Sequence, residues 1–169
     1  MSTRLHDAKR PVTPVAGPYG HPFHPILVTV PIGAWVSSLV FDVASRISDE
    51  PRIFVFGAYY LIGIGLAGAV AAAIFGLLDL LAIPRNTKAF RTGLIHLVLN
   101  LVVVVLYAVN FLIRHDDPGS NTDGVKSGLI ALSVVALLVL AVSGWLGGQL
   151  AYRFGVRVAD EDTQAEAYR

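Results

Sequence analysis

Five residues near the ends of long apolar runs have side chains suited to redox or proton chemistry: His24, Asp79, His96, Trp145 and Gln149. A charged aspartate at the middle of a membrane helix costs on the order of 3 kcal/mol, so ionisable groups at such positions call for a partner or a task. Asp79 stands four residues before Ile83, roughly 6 Å from the end of its run at the helical rise. His96 stands six residues after Phe90, roughly 9 Å in from the same side. His24 opens the first run there, and Trp145 and Gln149 close the last. Asp42 alone falls at the opposite end. Three chemistries fit this clustering. Asp79 and His96 could satisfy each other or cap a neighbouring helix. They could form a quinone pocket, with His96 and Asp79 supplying hydrogen bonds and a proton and Trp145 and Gln149 forming the wall. They could hold a haem b, with His96 and either His24 or His21 as axial ligands. A proton-coupled transporter is a further class, against which stands the absence of an inverted repeat.

The elements that must position these residues are four apolar segments, each long enough for the roughly 20 residues a bilayer-crossing helix needs. They run over about 25–44, 54–83, 90–113 and 127–151. Lipid offers no partner for backbone polar groups and strand alternation is missing, so helices are expected. Short loops between them predict an all-α, up-down, four-helix integral membrane bundle. Residues 1–24 form a proline-rich amino-terminal segment without the continuous apolar core of a secretory signal, residues 25–151 the bundle, and 152–169 an acidic tail.

Lysine and arginine placement sets the orientation. Arg4, Lys9, Arg10, Arg85, Lys88, Arg91, Arg153 and Arg157 fall on one side. Arg46, Arg52, Arg114 and Lys126 fall on the other, diluted by Asp49, Glu50, Asp116, Asp117 and Asp123. Both termini are therefore expected in the cytoplasm. Small residues at four-residue spacing (Gly65, Ala69, Ala73; Gly68, Ala72, Gly76; Gly144, Gly148) predict close helix packing, with the second span central. Pro31 is expected to kink the first span. In His21-Pro22-Phe23-His24-Pro25 a proline follows each histidine, which predicts an extended lead into that span and a helix starting at Pro25. His24 would then fold over the mouth toward Asp79 or His96.

Composition closes several doors. The chain is 54% hydrophobic and 15% charged, with a formal net charge of +1, so no nucleic-acid partner is called for. Zero cysteines exclude disulfides, thiolate-held zinc and a cysteine-ligated iron–sulfur cluster. Apart from the haem alternative, no residue set suggests a catalytic or metal-ligating centre.

Several motifs together resemble the domain-of-unknown-function-2231 family of four-span bacterial membrane proteins. They are His24-Pro25, Pro31 to Trp35, Asp42, Gly76 to Asp79, His96 with Asn100, and Gly144 to Leu150 followed by Tyr152 to Val156. The resemblance covers about residues 20–158. Some relatives carry a fused Rieske domain, which this chain lacks, and others resemble membrane anchors of actinobacterial succinate dehydrogenases. The resemblance implies a multi-pass protein of the bacterial plasma membrane that is not an enzyme alone. It would be a membrane-anchor subunit of a respiratory oxidoreductase, partnered by flavoprotein and iron–sulfur subunits and contributing to a menaquinone site near the cytoplasmic leaflet.

Overall fold

A computed structural model describes residues 3–115 and 124–169; Asp116, Asp117 and Asp123 of the charge count lie outside the described residues. Seven α-helices carry the described chain: α1 (Thr3–Lys9), α2 (Phe23–Leu27), α3 (Thr29–Ala44), α4 (Pro51–Ala82), α5 (Lys88–His115), α6 (Ser127–Gly148) and α7 (Glu161–Glu166). Four stretches have the length and apolar character to cross a membrane: Phe23–Ala44, Pro51–Ala82, Lys88–His115 and Ser127–Arg153. The expected four-helix bundle is present, each span within a few residues of its expected bounds. Large aliphatic side chains such as Val40, Ile64, Val105 and Leu138 are exposed around its outside, as a lipid-facing surface requires.

The first span is broken where Pro31 predicts a break. Pro31 has no N–H to give the carbonyl of Leu27, and α2 ends at that residue, with α3 restarting after Val28. The expectation for His24 is corrected, however. His24 lies inside α2, not on an extended lead, because Phe23, His24 and Pro25 occupy the first helical turn. There a proline removes no hydrogen bond, and its restriction on the preceding residue is overridden. His21 stays outside the helix and exposed.

α3 packs along α4, and α5 along α6; contacts of α3 with α6 and α4 with α5 close the ring. The helices alternate in direction, so the diagonal partners α3 and α5 run parallel. Their long side chains meet across the bundle axis at a constant register. The rings of His24 and His96 meet edge to face, the Trp35 indole stacks on Tyr107 at 4.3 Å, and Asp42 pairs with Arg114, 72 residues on. Buried positions recur in step: Pro31, Trp35, Ser38 and Asp42 in α3 match Val103, Tyr107, Asn110 and Arg114 in α5. Ala58, Ile62, Gly65 and Ala72 in α4 match Leu129, Ser133, Ala136 and Ser143 in α6. The molecule is thus two helical hairpins built on one plan and related by rotation about the bundle axis. This is a parallel repeat, not an inverted one.

At the end away from the termini, the diagonal carries charge. Arg114 donates to both carboxylate oxygens of Asp42, at 2.7 and 2.8 Å, and through Nε to Asn110 Oδ1 at 2.7 Å. The Asn110 amide in turn donates to the Leu129 carbonyl and to Ser133 Oγ, which links α3, α5 and α6. All of these side chains are fully buried or nearly so. Removing one partner of such a pair strands a charge, typically at 3–5 kcal/mol. Arg114→Ala is therefore expected to lower stability by about that much, read from denaturant unfolding in detergent. An Asp42→Leu/Arg114→Met double variant should recover most of the loss. An Arg114→Ala protein as stable as the parent would show that the pair is not holding the bundle.

Candidate functional site

At the end that bears the termini, both imidazoles are positioned by backbone. His24 Nδ1 lies 2.8 Å from the carbonyl oxygen of Ala72, and His96 Nδ1 lies 2.8 Å from that of Ser143. A carbonyl only accepts, so each Nδ1 carries the ring proton. The two bonds are equivalents within the repeat, spanning 48 and 47 residues. Each ring fits because a glycine faces it. A Cβ on Gly76 would come within 2.8 Å of the His24 ring, and one on Gly147 within 3.2 Å of the His96 ring. The ring centroids are 6.3 Å apart at an interplanar angle of 89°.

The other nitrogen separates the two histidines. Asn100 Nδ2 donates to His96 Nε2 at 3.0 Å and also to the His96 carbonyl, while Ser143 Oγ accepts from Nδ1 and donates to that same carbonyl. His96 is a neutral imidazole with both nitrogens satisfied. His24 Nε2 has no hydrogen-bond partner among the described residues.

Asp79 is answered by a residue from the tail. Its side chain is 11% exposed, and its carboxylate lies 2.8 Å from Nε of the buried Arg157, with His24 within Coulombic reach. The Arg157 Nε–H is not aimed at the carboxylate, so Asp79 Oδ1 keeps unused accepting capacity. Arg157 has a φ of 60°, the left-handed region that a bulky residue occupies only when its surroundings impose it. Those surroundings come from the amino-terminal segment. Arg157 N donates to Ala8 O, and Nη2 donates to Ala16 O and Gly17 O. Lys9 Nζ donates to Ala159 O, and Asp160 N donates to Tyr19 Oη. The two termini are thus knitted together and joined to the bundle beside Asp79. Beyond them, Asp160 caps α7. Hydrogen bonds from Thr163 hold its carboxyl down at about 2.

Of the five site residues expected from sequence, three gather: His24, His96 and Asp79. Asp79 and His96 do not satisfy each other, because Arg157 takes the carboxylate while Ser143 and Asn100 take the imidazole. Trp145 is 72% exposed and faces away from the bundle, so it forms no wall of this site. Gln149 is half-buried at the start of a π-helical turn, Gln149–Arg153, with which α6 ends. Gly144 and Gly148 pack against nothing, since a Cβ on either would meet open space. The glycine that packs is Gly147, one position out of that pattern. Arg157 escapes sequence reasoning because an arginine just beyond a span reads as an orientation-setting charge. Its signal, a glycine two residues earlier that reverses the chain, is weak.

If Arg157 ties the termini to the bundle, Arg157→Met should loosen them without unfolding the spans. Backbone amides of residues 155–160 are expected to exchange hydrogen on the order of ten-fold faster, as loss of charge-assisted hydrogen bonds implies, while α4 amides near Ala69 stay protected. Unchanged exchange in the tail would show that the tether lies elsewhere.

No curated protein and no solved structure matches this chain. Residues 20–160 match the family described as predicted membrane protein DUF2231, a span that holds every residue of the histidine–aspartate–arginine cluster. The chain, a multi-pass four-helix membrane protein, belongs to the DUF2231 family.

Proposed function

We propose that the chain is a membrane-anchor subunit of a respiratory oxidoreductase and contributes a quinone site at the end that bears its termini. The observation that carries this reading is the His24 imidazole. Its Nδ1 is fixed on a backbone carbonyl and its Nε2 is free, beside a carboxylate with accepting capacity left over. Quinone chemistry needs such a group: a nitrogen that takes a proton from a quinol hydroxyl, or as imidazolium donates to a quinone carbonyl. The Nδ1–H···O=C bond orients the ring and leaves Nε2 as the acceptor. Asp79 stabilises the imidazolium that forms, and Arg157 keeps that carboxylate in place. Electrons enter or leave through a partner flavoprotein and iron–sulfur subunit. On this proposal the quinone is menaquinone, as the family resemblance implies.

Orientation belongs to the same proposal. Arg157 and Arg114 are sequestered in ion pairs, so neither counts as a free loop charge. The remaining lysines and arginines of the earlier count stand seven to three in favour of cytoplasmic termini. On this reading the cluster lies near the cytoplasmic leaflet of a bacterial plasma membrane, where reduced flavin would deliver electrons.

Relative to sequence expectation, the roles of the histidines are exchanged: His24 handles the proton and His96 holds the bundle. His24→Leu in the intact complex is expected to lower quinone-linked turnover on the order of a hundred-fold with assembly preserved, as loss of a general acid–base implies. Asn100→Val should leave turnover nearly intact. A silent His24→Leu, or a chain that purifies under mild detergent with no flavin or iron–sulfur companion, would end the proposal.

One observation favours a second reading. Two imidazoles with centroids 6.3 Å apart match the span of two metal–nitrogen bonds of about 2 Å plus the depth of each ring, as a bis-histidine haem b requires. The fit fails at one atom, because Asn100 already occupies His96 Nε2. The expected preparation is therefore colourless. A b-type absorption spectrum lost in His24→Leu would favour haem instead.

A further inference from the structure

Around the outside of the same end lies a cleft unrelated to the histidine pair. It has a volume of about 360 Å³ and sits between α1, the α4–α5 connection and the last turn of the fourth span. Arg4 and Arg153 supply its polar rim, Thr87 one wall, and Leu5, Ile83 and Phe154 much of its apolar lining. Both arginines are exposed, and neither has an acidic partner among the described residues. The cleft lies at the ends of Pro51–Ala82 and Ser127–Arg153, the level at which a bilayer changes from hydrocarbon to headgroups. Leu81, in the last turn of α4 just before the cleft residue Ile83, is exposed, as a lipid-facing side chain is.

We propose that this cleft binds the phosphodiester headgroup of an anionic phospholipid. The two guanidiniums match its charge, and a guanidinium fork can pair with two phosphate oxygens. The cleft takes the phosphate and glycerol, and the acyl chains descend along the exposed apolar flank of the bundle. A free phosphate shares the charge but has nothing to place on that flank, so the lipid is the ligand. A basic pocket at the membrane surface gains about a factor of five in binding per arginine.

The test is native mass spectrometry of the full-length protein in detergent with added dioleoyl-phosphatidylglycerol, dioleoyl-phosphatidylcholine or inorganic phosphate. The expected result is retention of about one phosphatidylglycerol, weak retention of phosphatidylcholine, and no displacement by millimolar phosphate. An Arg4→Gln/Arg153→Gln double variant should bind phosphatidylglycerol roughly thirty-fold more weakly, whereas Arg52→Gln, at the opposite end, should bind it unchanged. Equal retention of the two lipids, equal loss in Arg52→Gln, or full displacement by phosphate each overturns the proposal. A circular-dichroism spectrum unchanged in the double variant establishes that lost binding is not lost folding.

Discussion

A charge enclosed by four helices in hydrocarbon has no water to retreat to, and the pairing of Asp42 with Arg114 fixes much else in the bundle. The two residues come from diagonal helices, so their contact forces α3 and α5 toward the axis and sets their relative height. Once that height is set, Trp35 must meet Tyr107 and His24 must face His96, because each lies the same number of residues from its helix's charged end. Asn110 extends the constraint to α6 through Leu129 and Ser133. Apolar surfaces slide past one another at little cost in lipid, where no hydrophobic effect ranks one register above another. A bidentate ion pair does not slide. Its contribution is specificity of register as much as stability.

The small residues of α4 follow from the same diagonal. Large groups that reach across the axis need space on the adjacent helix. Gly65 makes it for the Trp35 indole, Gly68 for Val30 and Pro31, and Gly76 for His24. The glycines are not chiefly a backbone-to-backbone seam. Those three are the negative image of side chains on α2 and α3, Gly57 plays the same part for Phe41, and Gly63 does so for Phe111 of α5.

The four spans were legible in the sequence because length and the absence of charge in a lipid-facing helix leave few alternatives. Of the five candidate residues, the three that gather in the structure stood out in the sequence because an ionisable group at membrane depth needs a reason. What stayed hidden were pairings. Arg114 and Arg157 lie at span ends, where an arginine is ordinarily solvated, and nothing local says that one turns inward to Asp42 and the other folds back on Asp79. Trp145 was misplaced because a residue near a glycine run can face either the bundle or the lipid. A helical position carries no label for which, until the neighbouring helix is docked. The break in the first span was predictable from Pro31, yet His24 inside α2 was not. First-turn positions tolerate the His-Pro step that elsewhere excludes helix.

The repeat bears directly on which half works. Two hairpins with one backbone plan present two imidazoles in equivalent places, each bonded through Nδ1 to an equivalent carbonyl. The sequence then makes them different. In the second hairpin Asn100 closes the remaining nitrogen of His96, where the equivalent position in the first is Val28, which closes nothing. Asp79 in the first hairpin corresponds to Leu150 in the second, so the carboxylate also stands on one side only. Under the quinone proposal one histidine of the matched pair remains chemically available while its equivalent is locked as part of the frame. A symmetric pair with both nitrogens free would suit a metal between the rings. The asymmetry instead favours a single proton-handling imidazole facing a ligand that arrives from the membrane.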